Sequence, residues 1–427
     1  MTEVGLQATD ATAATDAKAA KARVYRRRRI IVFSVLAIVI ALITTGGVYT
    51  ANALGAAVPA AAPQITDPEP IAAAPQPLAL PGFGGYAVGA VGFEGLMAAG
   101  NESTPMPMAS ITKVITALTV LAEYPIAEGE SGPDIEYTDA DVDIYWDMAA
   151  QNGSVAPVEA GATLSLKESL AALLIPSGNN YGISISNWAF GSEGALVEKA
   201  NAWLAANGLA NTHVVDSSGM SDDNVGTAAD MVLLGEIALR DPTVAVIVAS
   251  KSVEIPELGV LENSNKLLGT HGVDGMKTGT TDDAANLLFT ADYAVGSSTV
   301  TVVGVLLGGE THAVLDEAIA ALLDSVAPGF HEVAPLEANQ VFAEYSTPWG
   351  ETARARATQG ATLVVWSDTP VDVEVQVEPV TLAERGEQVG TAIVRAGAQE
   401  ISVPLVLDAA IVDPGAWWRL SNPGALG

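Results

Sequence analysis

The pattern of hydrophobic and polar positions changes several times along the 427 residues. Ile30–Val48 is an uncharged apolar run, long enough to cross roughly 30 Å of hydrocarbon as a helix. Between about residues 82 and 328, helical patterns alternate with β-rich runs such as Ser298–Gly309. After residue 329 apolar and polar residues alternate, in the segments TLVVWSD, VDVEVQVEPV, GTAIVRAG and ISVPLVL, which predicts strands with one solvated face.

These patterns predict five consecutive segments. Residues 1–29 are a basic cytoplasmic tail, 30–48 a transmembrane helix or signal anchor, and 49–81 an Ala/Pro-rich linker. Residues 82–328 are an α+β domain, and 329–427 a small β-rich C-terminal domain. One helix of the α+β domain is well marked, because Ser165 and Glu168 form a capping-box pattern and Pro176 ends the apolar periodicity. The linker prolines predict an extended, semi-rigid spacer.

The N-terminal charges give an orientation. The basic cluster Lys18–Arg29 precedes the apolar run, so the positive-inside rule places the N-terminus in the cytoplasm and the residues after the run outside the membrane. We expect a retained single-pass anchor in the cell membrane, although Ala51–Ala53 resembles a cleavage site that would release the protein. The residues after Arg29 include 47 acidic and 12 basic side chains, a balance that excludes nucleic-acid binding. Cysteine is absent, which excludes disulfides and thiolate chemistry.

Lys113 stands out among the six lysines that lie beyond the apolar run. It ends the only Ser-x-x-Lys sequence of the chain, which begins at Ser110 and leads into an apolar helical pattern. On a helix this spacing puts both side chains on one face. Burial and the N-terminal end of the helix would lower the lysine pKa towards a value at which the amine takes a proton from serine. A lysine that snorkels to the surface beside an ordinary serine is the alternative.

Two further motifs favour the interpretation of Lys113 as a base over that of a snorkelling lysine. Ser177, Gly178 and Asn179 come after the predicted end of a helix, where their side chains can point into a cleft. Lys277, Thr278 and Gly279 are followed by Thr280, and a Lys-Thr-Gly sequence is moderately specific in a chain with so few exported lysines.

The order Ser-x-x-Lys, Ser-x-Asn, Lys-Thr-Gly resembles the active-site set of penicillin-binding proteins and serine β-lactamases. With the segments PMPMASITKVITALTVL, GATLSLKESLAALLIPSGNNYG, HVVDSSGMSDDNVGTAADM and GVDGMKTGTTDDAANLL, residues 82–328 resemble the low-molecular-mass D-alanyl-D-alanine carboxypeptidases. The resemblance implies a β-lactamase/transpeptidase-like fold, in which helices flank an antiparallel sheet and form a separate subdomain. The C-terminal β-domain also resembles that family, less specifically.

The resemblance also implies roles for the motif residues. Ser110 is the nucleophile, Lys113 its general base, and Ser177 relays a proton to the leaving amine. Substrate is bound by Asn179, Lys277, Thr278, Gly279 and Thr280. The first of these holds the substrate amide, the next two bind the terminal carboxylate, and the N–H groups of Ser110 and Thr280 form an oxyanion hole.

The implied substrate is a peptidoglycan stem peptide that ends in D-Ala-D-Ala, with β-lactams as covalent inhibitors and no metal or cofactor. One departure stands out. Many members of the family have an arginine soon after the strand that comes next after Lys-Thr-Gly, and this chain has His312 in that stretch. How the carboxylate is held is therefore open.

Three other functions remain as alternatives. A serine β-lactamase shares the motifs, a D,D-endopeptidase shares the catalytic groups, and a non-catalytic wall-binding protein could keep the domain as a scaffold. A metal site is not expected: Asp139–Asp147 resembles a calcium loop but lacks its glycine and its final glutamate, which predicts a solvated acidic loop. The four histidines do not form a zinc-peptidase motif.

Overall fold

The computed structural model describes residues 7–69, 71 and 73–426. Residues 1–6 of the predicted basic tail, Pro70 and Ala72 of the predicted linker, and Gly427 lie outside the described residues. The helices are α1 (Gln7–Gly55), α2 (Thr112–Glu123), α3 (Asp139–Ala150), α4 (Leu166–Leu174), α5 (Asn179–Phe190), α6 (Glu193–Ala206), α7 (Ala228–Arg240), α8 (Pro242–Val248), α9 (His312–Val326) and α10 (Gly415–Ser421). The first ten strands are β1 (Pro63–Ile65), β2 (Gly85–Ala90), β3 (Ala98–Gly100), β4 (Met106–Pro107), β5 (Asp134–Glu136), β6 (Thr163–Ser165), β7 (Val225–Gly226), β8 (Ser252–Ile255), β9 (Gly259–Glu262) and β10 (Val273–Thr280). The others are β11 (Ala285–Val295), β12 (Ser298–Gly309), β13 (Phe330–Leu336), β14 (Val341–Ser346), β15 (Thr352–Ala357), β16 (Ala361–Trp366), β17 (Asp372–Val377), β18 (Gln388–Ala396) and β19 (Gln399–Leu407).

A five-stranded antiparallel sheet forms the centre of the α+β region, in the order β10-β11-β12-β2-β3. Helix α9 covers one face, where Leu315 and Ile319 pack into a core with Phe289. Helices α2 and α7 lie on the side of the other core, which contains Val303 and Val305. Because both faces are buried, β12 is almost continuously apolar, as its sequence predicts. The predicted α+β fold class is confirmed.

Helices α2 to α6 make up a helical region beside the sheet. Helix α4 begins as predicted, because Ser165 Oγ accepts the N–H of Glu168 and the Glu168 carboxylate accepts the N–H of Ser165 at 2.8 Å. Helix α2 is buried from Thr112 to Leu121, so it runs through the core. A lysine on such a helix has little access to water.

The prediction of a solvated acidic loop at Asp139–Asp147 is wrong. This stretch forms most of helix α3. The Asp141 carboxylate accepts the backbone N–H of Thr138 at 2.8 Å in a capping box, and acidic residues in a first turn interact favourably with the helix dipole. The alternating acids therefore start a helix.

The C-terminal residues form an all-β unit, as predicted. Its six-stranded sheet has the order β1-β14-β15-β19-β18-β17, and the pair β13–β16 packs beside it over a core that includes Phe342, Tyr345 and Leu405. The four alternating segments correspond to β16 to β19. The short helix α10, with Trp417 and Trp418, comes after β19 and was not predicted.

The predicted linker differs from a free spacer. Pro63–Ile65 pairs with β14 as an edge strand, and the buried Ala61 bridges Val380. Further along, the N–H of Ala79 donates to Ser325 Oγ at the end of α9. An edge position tolerates a proline because one side of the strand needs no donor. Extended Pro-rich sequence can thus pair with a sheet, which its composition alone did not indicate.

Helix α1 contains the predicted span. Among the described residues, Thr15–Gly55 is the one helix long and apolar enough to cross a membrane, a property it shares with signal sequences. It continues without a break through the described part of the basic tail.

Candidate active site

Ser110 lies in a short 3₁₀ turn, Ala109–Ile111, immediately before α2, and so just outside the α-helix. The turn is tightly enclosed by two glycines. A Cβ atom on Gly219 would lie 2.0 Å from the carbonyl oxygen of Ala109, and one on Gly279 would lie 2.5 Å from that of Met108. Only residues without side chains allow these backbones to approach so closely, and the turn is thereby fixed in place.

Lys113 reaches back to Ser110, as the spacing predicts. Its Nζ lies 2.8 Å from Ser110 Oγ, and the lysine side chain is fully buried. Two other oxygens contact Nζ at 2.6 Å, Oδ1 of Asn179 and the carbonyl oxygen of Ser218. Burial, reinforced by the charge of Lys277 and partly opposed by that of Asp216, holds the pKa of Lys113 well below 10.5. The lysine is buried and does not snorkel.

Ser177 lies between α4 and α5 with a positive φ of 67°. Its Oγ is buried and has no hydrogen-bond partner among the described residues. A non-glycine residue with positive φ and an unpaired buried hydroxyl both cost free energy, and such features concentrate at functional sites. The turn therefore keeps a hydroxyl available beside Asn179, the first residue of α5.

Lys277, Thr278, Gly279 and Thr280 form the end of β10, which is the edge strand of the five-stranded sheet. Lys277 is 1 % exposed, and burial lowers its pKa to about 7. Within the described residues its Nζ finds only the Thr278 carbonyl at 3.2 Å and, more weakly, the Thr278 hydroxyl at 3.5 Å. The Thr278 hydroxyl itself contacts Ser264 Oγ at 2.6 Å. Lys277 thus retains capacity to bind an anion.

His312 lies beside this strand end. It is the first residue of α9, and its Nε2 is 2.8 Å from Oγ1 of Thr280. The sequence indicated only that a histidine occupies the stretch in which an arginine was expected. The structure adds that this histidine contacts a residue of the Lys-Thr-Gly strand.

The sequence motifs missed some residues of the site. The Ser218 carbonyl contacts Lys113 across 105 residues of sequence, and Asp216 organises the loop that presents it. Asn286 links two parts of the site, because its Nδ2 donates to the Pro107 carbonyl, just before the turn Ala109–Ile111. The first two lie in HVVDSSGMSDDNVGTAADM, which contributes to the family resemblance but gave neither residue a role.

The geometry suits acyl transfer by a serine nucleophile. The Ser110 hydroxyl contacts an amine of lowered pKa, and the Ser177 hydroxyl, which has no partner among the described residues, lies near Asn179 in the chain. The buried amine of Lys277 lies on an edge strand that can pair with an extended peptide. Among the described residues, no group of three or more His, Asp or Glu side chains is arranged to hold a metal ion.

Comparison with known proteins identifies relatives. The family model described as D-alanyl-D-alanine carboxypeptidase matches residues 94–311. The D-alanyl-D-alanine carboxypeptidase DacF of Bacillus subtilis is 23 % identical over 309 residues, which are 69 % of this chain and 77 % of DacF. A D-alanyl-D-alanine endopeptidase of Pseudomonas aeruginosa is 28 % identical over 203 residues, covering 44 % of this chain and 60 % of the endopeptidase. The structure of penicillin binding protein 5 from Haemophilus influenzae superposes with a TM-score of 0.53 at 20 % identity, covering 82 % of this chain and all of that one.

Proposed function

This chain belongs to the D-alanyl-D-alanine carboxypeptidase family, and we propose that it removes the terminal D-alanine from peptidoglycan stem peptides through an acyl-enzyme on Ser110. One observation carries the proposal: Lys113 Nζ lies 2.8 Å from Ser110 Oγ, fully buried and without a carboxylate partner among the described residues. An amine in that position can be neutral at physiological pH and can accept the serine proton.

In the acylation step, neutral Lys113 takes the proton of Ser110 as Oγ attacks the carbonyl carbon of the penultimate D-alanine. The oxyanion would be held by the N–H groups of Ser110 and Thr280. The close approach of Gly279 to the nucleophile turn, the 3₁₀ turn Ala109–Ile111 that contains Ser110, supports this pairing of donors from two elements. When the C–N bond breaks, the proton passes from Lys113 through the free hydroxyl of Ser177 to the leaving amine.

Substrate binding would use the groups that remain free. Oδ1 of Asn179 is taken by Lys113, so its amide Nδ2 is the group left to donate to a substrate carbonyl. A Cβ atom at Gly153 would lie 2.7 Å from that nitrogen, so the glycine keeps this space open. Lys277 and Thr278 would bind the terminal carboxylate by charge-assisted hydrogen bonds.

Water would then attack the acyl-enzyme, with Lys113 again as base, and release the shortened peptide. A β-lactam would acylate Ser110 in the same way, but its leaving amine stays tethered to the acyl group and slows the attack of water.

We infer the arrangement in the cell from α1. The Arg-rich residues before the apolar run favour a cytoplasmic N-terminus, which would leave residues 82–427 outside the membrane. In this arrangement residues 82–328 are the catalytic domain and 329–427 a separate β-domain. The distinct hydrophobic core of the C-terminal sheet supports that division.

An endopeptidase that cuts cross-links is the second candidate. The family's relatives include an endopeptidase, and His312 lies where it can alter how a free carboxylate is held. The full-length protein in detergent should be incubated with monomeric pentapeptide and with cross-linked dimer, followed by mass spectrometry. We expect faster loss of D-alanine from the pentapeptide, and preferential cleavage of the dimer would favour the endopeptidase.

Labelling with fluorescent penicillin tests the acyl-enzyme itself. The wild type should form a long-lived adduct, and Ser110→Ala should form none. Rapid hydrolysis of benzylpenicillin would indicate a β-lactamase. A wild-type protein that takes up no label would contradict enzymatic function and favour a non-catalytic wall-binding protein.

A further inference from the structure

The Asp216 carboxylate lies at the centre of a turn beside Lys113, although no catalytic motif includes it. It accepts hydrogen bonds from a series of donors that come after it in sequence. The donors to Oδ1 are the N–H groups of Ser218 (2.8 Å), Gly219 (2.6 Å) and Met220 (3.3 Å) and the Ser218 hydroxyl (3.2 Å), and those to Oδ2 are the N–H of Ser221 (2.8 Å) and the Asn224 amide (2.8 Å). So many bonds to one carboxylate fix the backbone of the turn.

The turn presents backbone carbonyls to α2. The Ser218 carbonyl accepts from Lys113 Nζ at 2.6 Å, and the Ser217 carbonyl accepts from Thr116 Oγ1 at 2.7 Å. Gly219, with φ of 82°, packs against the Ala109 carbonyl in the nucleophile turn. One loop thus contacts both the helix that carries Lys113 and the turn that carries Ser110.

The Ser218 carbonyl decides where the lone pair of a neutral Lys113 points. A neutral amine has two N–H groups and one lone pair, and Nζ has three oxygen partners. The carbonyl oxygens of Ser218 and Asn179 can only accept, so they take the two N–H groups. The lone pair is then directed at Ser110 Oγ, where a general base needs it.

Asp216 also acts on Lys113 by charge. The charged groups that influence the lysine are Lys277 on β10, which lowers its pKa after burial does, and Asp216, which raises it. Burial raises the pKa of the Asp216 carboxyl itself, but the hydrogen bonds from Ser221, Ser218, Asn224 and Gly219 outweigh burial and hold it below the ordinary value. The group therefore stays anionic through the neutral range.

We propose that Asp216 is a positioning residue for the general base: its carboxylate holds the Ser218 carbonyl against Lys113 Nζ, and so directs the lysine lone pair at Ser110. This inference rests on the proposed function of Lys113. It assigns to the segment Asp216–Asn224 a role in acylation that the family resemblance of this segment does not specify.

The test is the pH profile of acylation of the full-length protein by fluorescent penicillin. Asp216→Asn keeps the shape of the side chain but loses its charge and one acceptor. We expect the rate at neutral pH to fall about 10- to 100-fold, because a slightly displaced base is a poor one. The acidic limb of the profile should move to lower pH, because loss of a nearby anion lowers the lysine pKa further.

Asp230→Asn is the matched control. Asp230 is also buried and accepts from the N–H of Asn211 and the Thr212 hydroxyl, but it makes no contact with Lys113. This variant should lose thermal stability while the acidic limb stays in place. If it moved the limb as far as Asp216→Asn does, the effect would be general loosening of the fold and the proposal would fall.

Asp216→Glu covers the case in which Asp216→Asn does not fold. It keeps the charge but displaces the oxygens, so the rate should fall while the acidic limb stays near that of the wild type. A wild-type rate in either variant overturns the role of Asp216 alone. A wild-type protein that is not labelled at Ser110 overturns the proposed function, and this inference with it.

Discussion

The candidate site around Ser110 and the C-terminal β-sheet hold their charged side chains in different surroundings. Lys113 and Lys277 are 0 % and 1 % exposed, and neither forms an ion pair within the described part of the chain. In the sheet, Arg395 pairs with Glu374 at 2.6 Å and with Glu400 at 2.8 Å, and all three side chains are about half exposed. Burying an unpaired cation is costly, whereas exposed pairs contribute little. The cost of burying Lys113 and Lys277 is consistent with their proposed roles in acylation and carboxylate binding, whereas the exposed charges of the sheet are of the kind that favours solubility.

The two lysines of the candidate site, Lys113 and Lys277, also differ from each other. Lys113 has three oxygen partners within 2.8 Å, whereas the nearest partner of Lys277 is one carbonyl at 3.2 Å. The first amine is held in one orientation, as a base requires. Among the described residues the second amine keeps donors without a close partner, as its proposed role in binding a carboxylate requires.

The largest effect is expected from Lys113→Arg. Arginine keeps the length and the donors but stays protonated, so it cannot take the serine proton. Labelling by fluorescent penicillin should slow by about 10²- to 10⁴-fold, the range for loss of a general base. The matched control is Lys199→Arg, at a side chain that is 61 % exposed, which should label at the wild-type rate. A Lys113→Arg enzyme that labels normally would show that the buried lysine is not needed for acylation, and the main contrast between the candidate site and the sheet would be lost.

Lys277→Met should separate binding from stability. Loss of the charge-assisted hydrogen bonds should raise KM for pentapeptide by about 10- to 100-fold. The fold itself should become more stable, because methionine fills similar space without a poorly satisfied cation. Thermal unfolding measured alongside the kinetics checks both. A variant that binds poorly and also unfolds earlier would show that Lys277 is structural.

The burial of Lys277 should also make the stability of the fold depend on pH. The pKa of Lys277 falls from 10.5 to about 7 on folding, so between these values the unfolded chain binds the extra proton. Stability should therefore rise with pH across this window, and Lys277→Met should reduce the rise. Denaturant unfolding at several pH values measures it. An identical slope in wild type and variant would contradict burial as the cause.

The protonation states of both lysines should affect how catalysis depends on pH. In the proposed mechanism acylation needs neutral Lys113 and carboxylate binding needs protonated Lys277, so kcat/KM for pentapeptide should decline as pH rises above about 7. A penicillin methyl ester has no carboxylate and should lack this alkaline limb. If the ester and the free acid gave the same profile, the carboxylate would be bound elsewhere.

Local patterns in the sequence predicted local structure well. The capping box at Ser165 and the apolar run Ser298–Gly309 appear as predicted, because each depends on neighbouring residues alone. Helix α3 was not predicted, because the alternating acids of this stretch resemble a calcium loop and also form the capping box that begins at Thr138. The pairing of Pro63–Ile65 with β14 was missed because its partner is distant in sequence.

In the candidate site, too, the sequence predicted local relations but not contacts between residues that are distant in the chain. The motifs named the side chains, and the i, i+3 spacing put Lys113 beside Ser110. They could not show that Asn179 and Ser218 contact Lys113 from 66 and 105 residues away, nor that Ser177 has a positive φ. Such contacts depend on how the α2 core packs, which no short window of sequence contains.

A smaller effect is expected from His312→Arg. The new cation would lie beside Thr280 and add a permanent charge for a free carboxylate. The ratio of pentapeptide to cross-linked dimer cleavage should rise about 2- to 5-fold, the size of a partly exposed charge contact. Mass spectrometry of both digestions measures the ratio, with His331→Arg on β13 as control. An unchanged ratio would mean that the side chain at position 312 does not contribute to binding the free carboxylate of the pentapeptide.

The smallest effect is expected from Arg395→Ala in the C-terminal sheet. Both of its ion pairs are exposed to water, which already solvates the charges and allows salt to screen them. The melting temperature should change by at most about 2 °C, and penicillin labelling should keep the wild-type rate. A large loss of stability would show that the sheet depends on its charge pairs. The buried lysines of the site and the ion pairs of the sheet would then differ in solvent exposure, but the ion pairs could no longer be described as contributing little to stability.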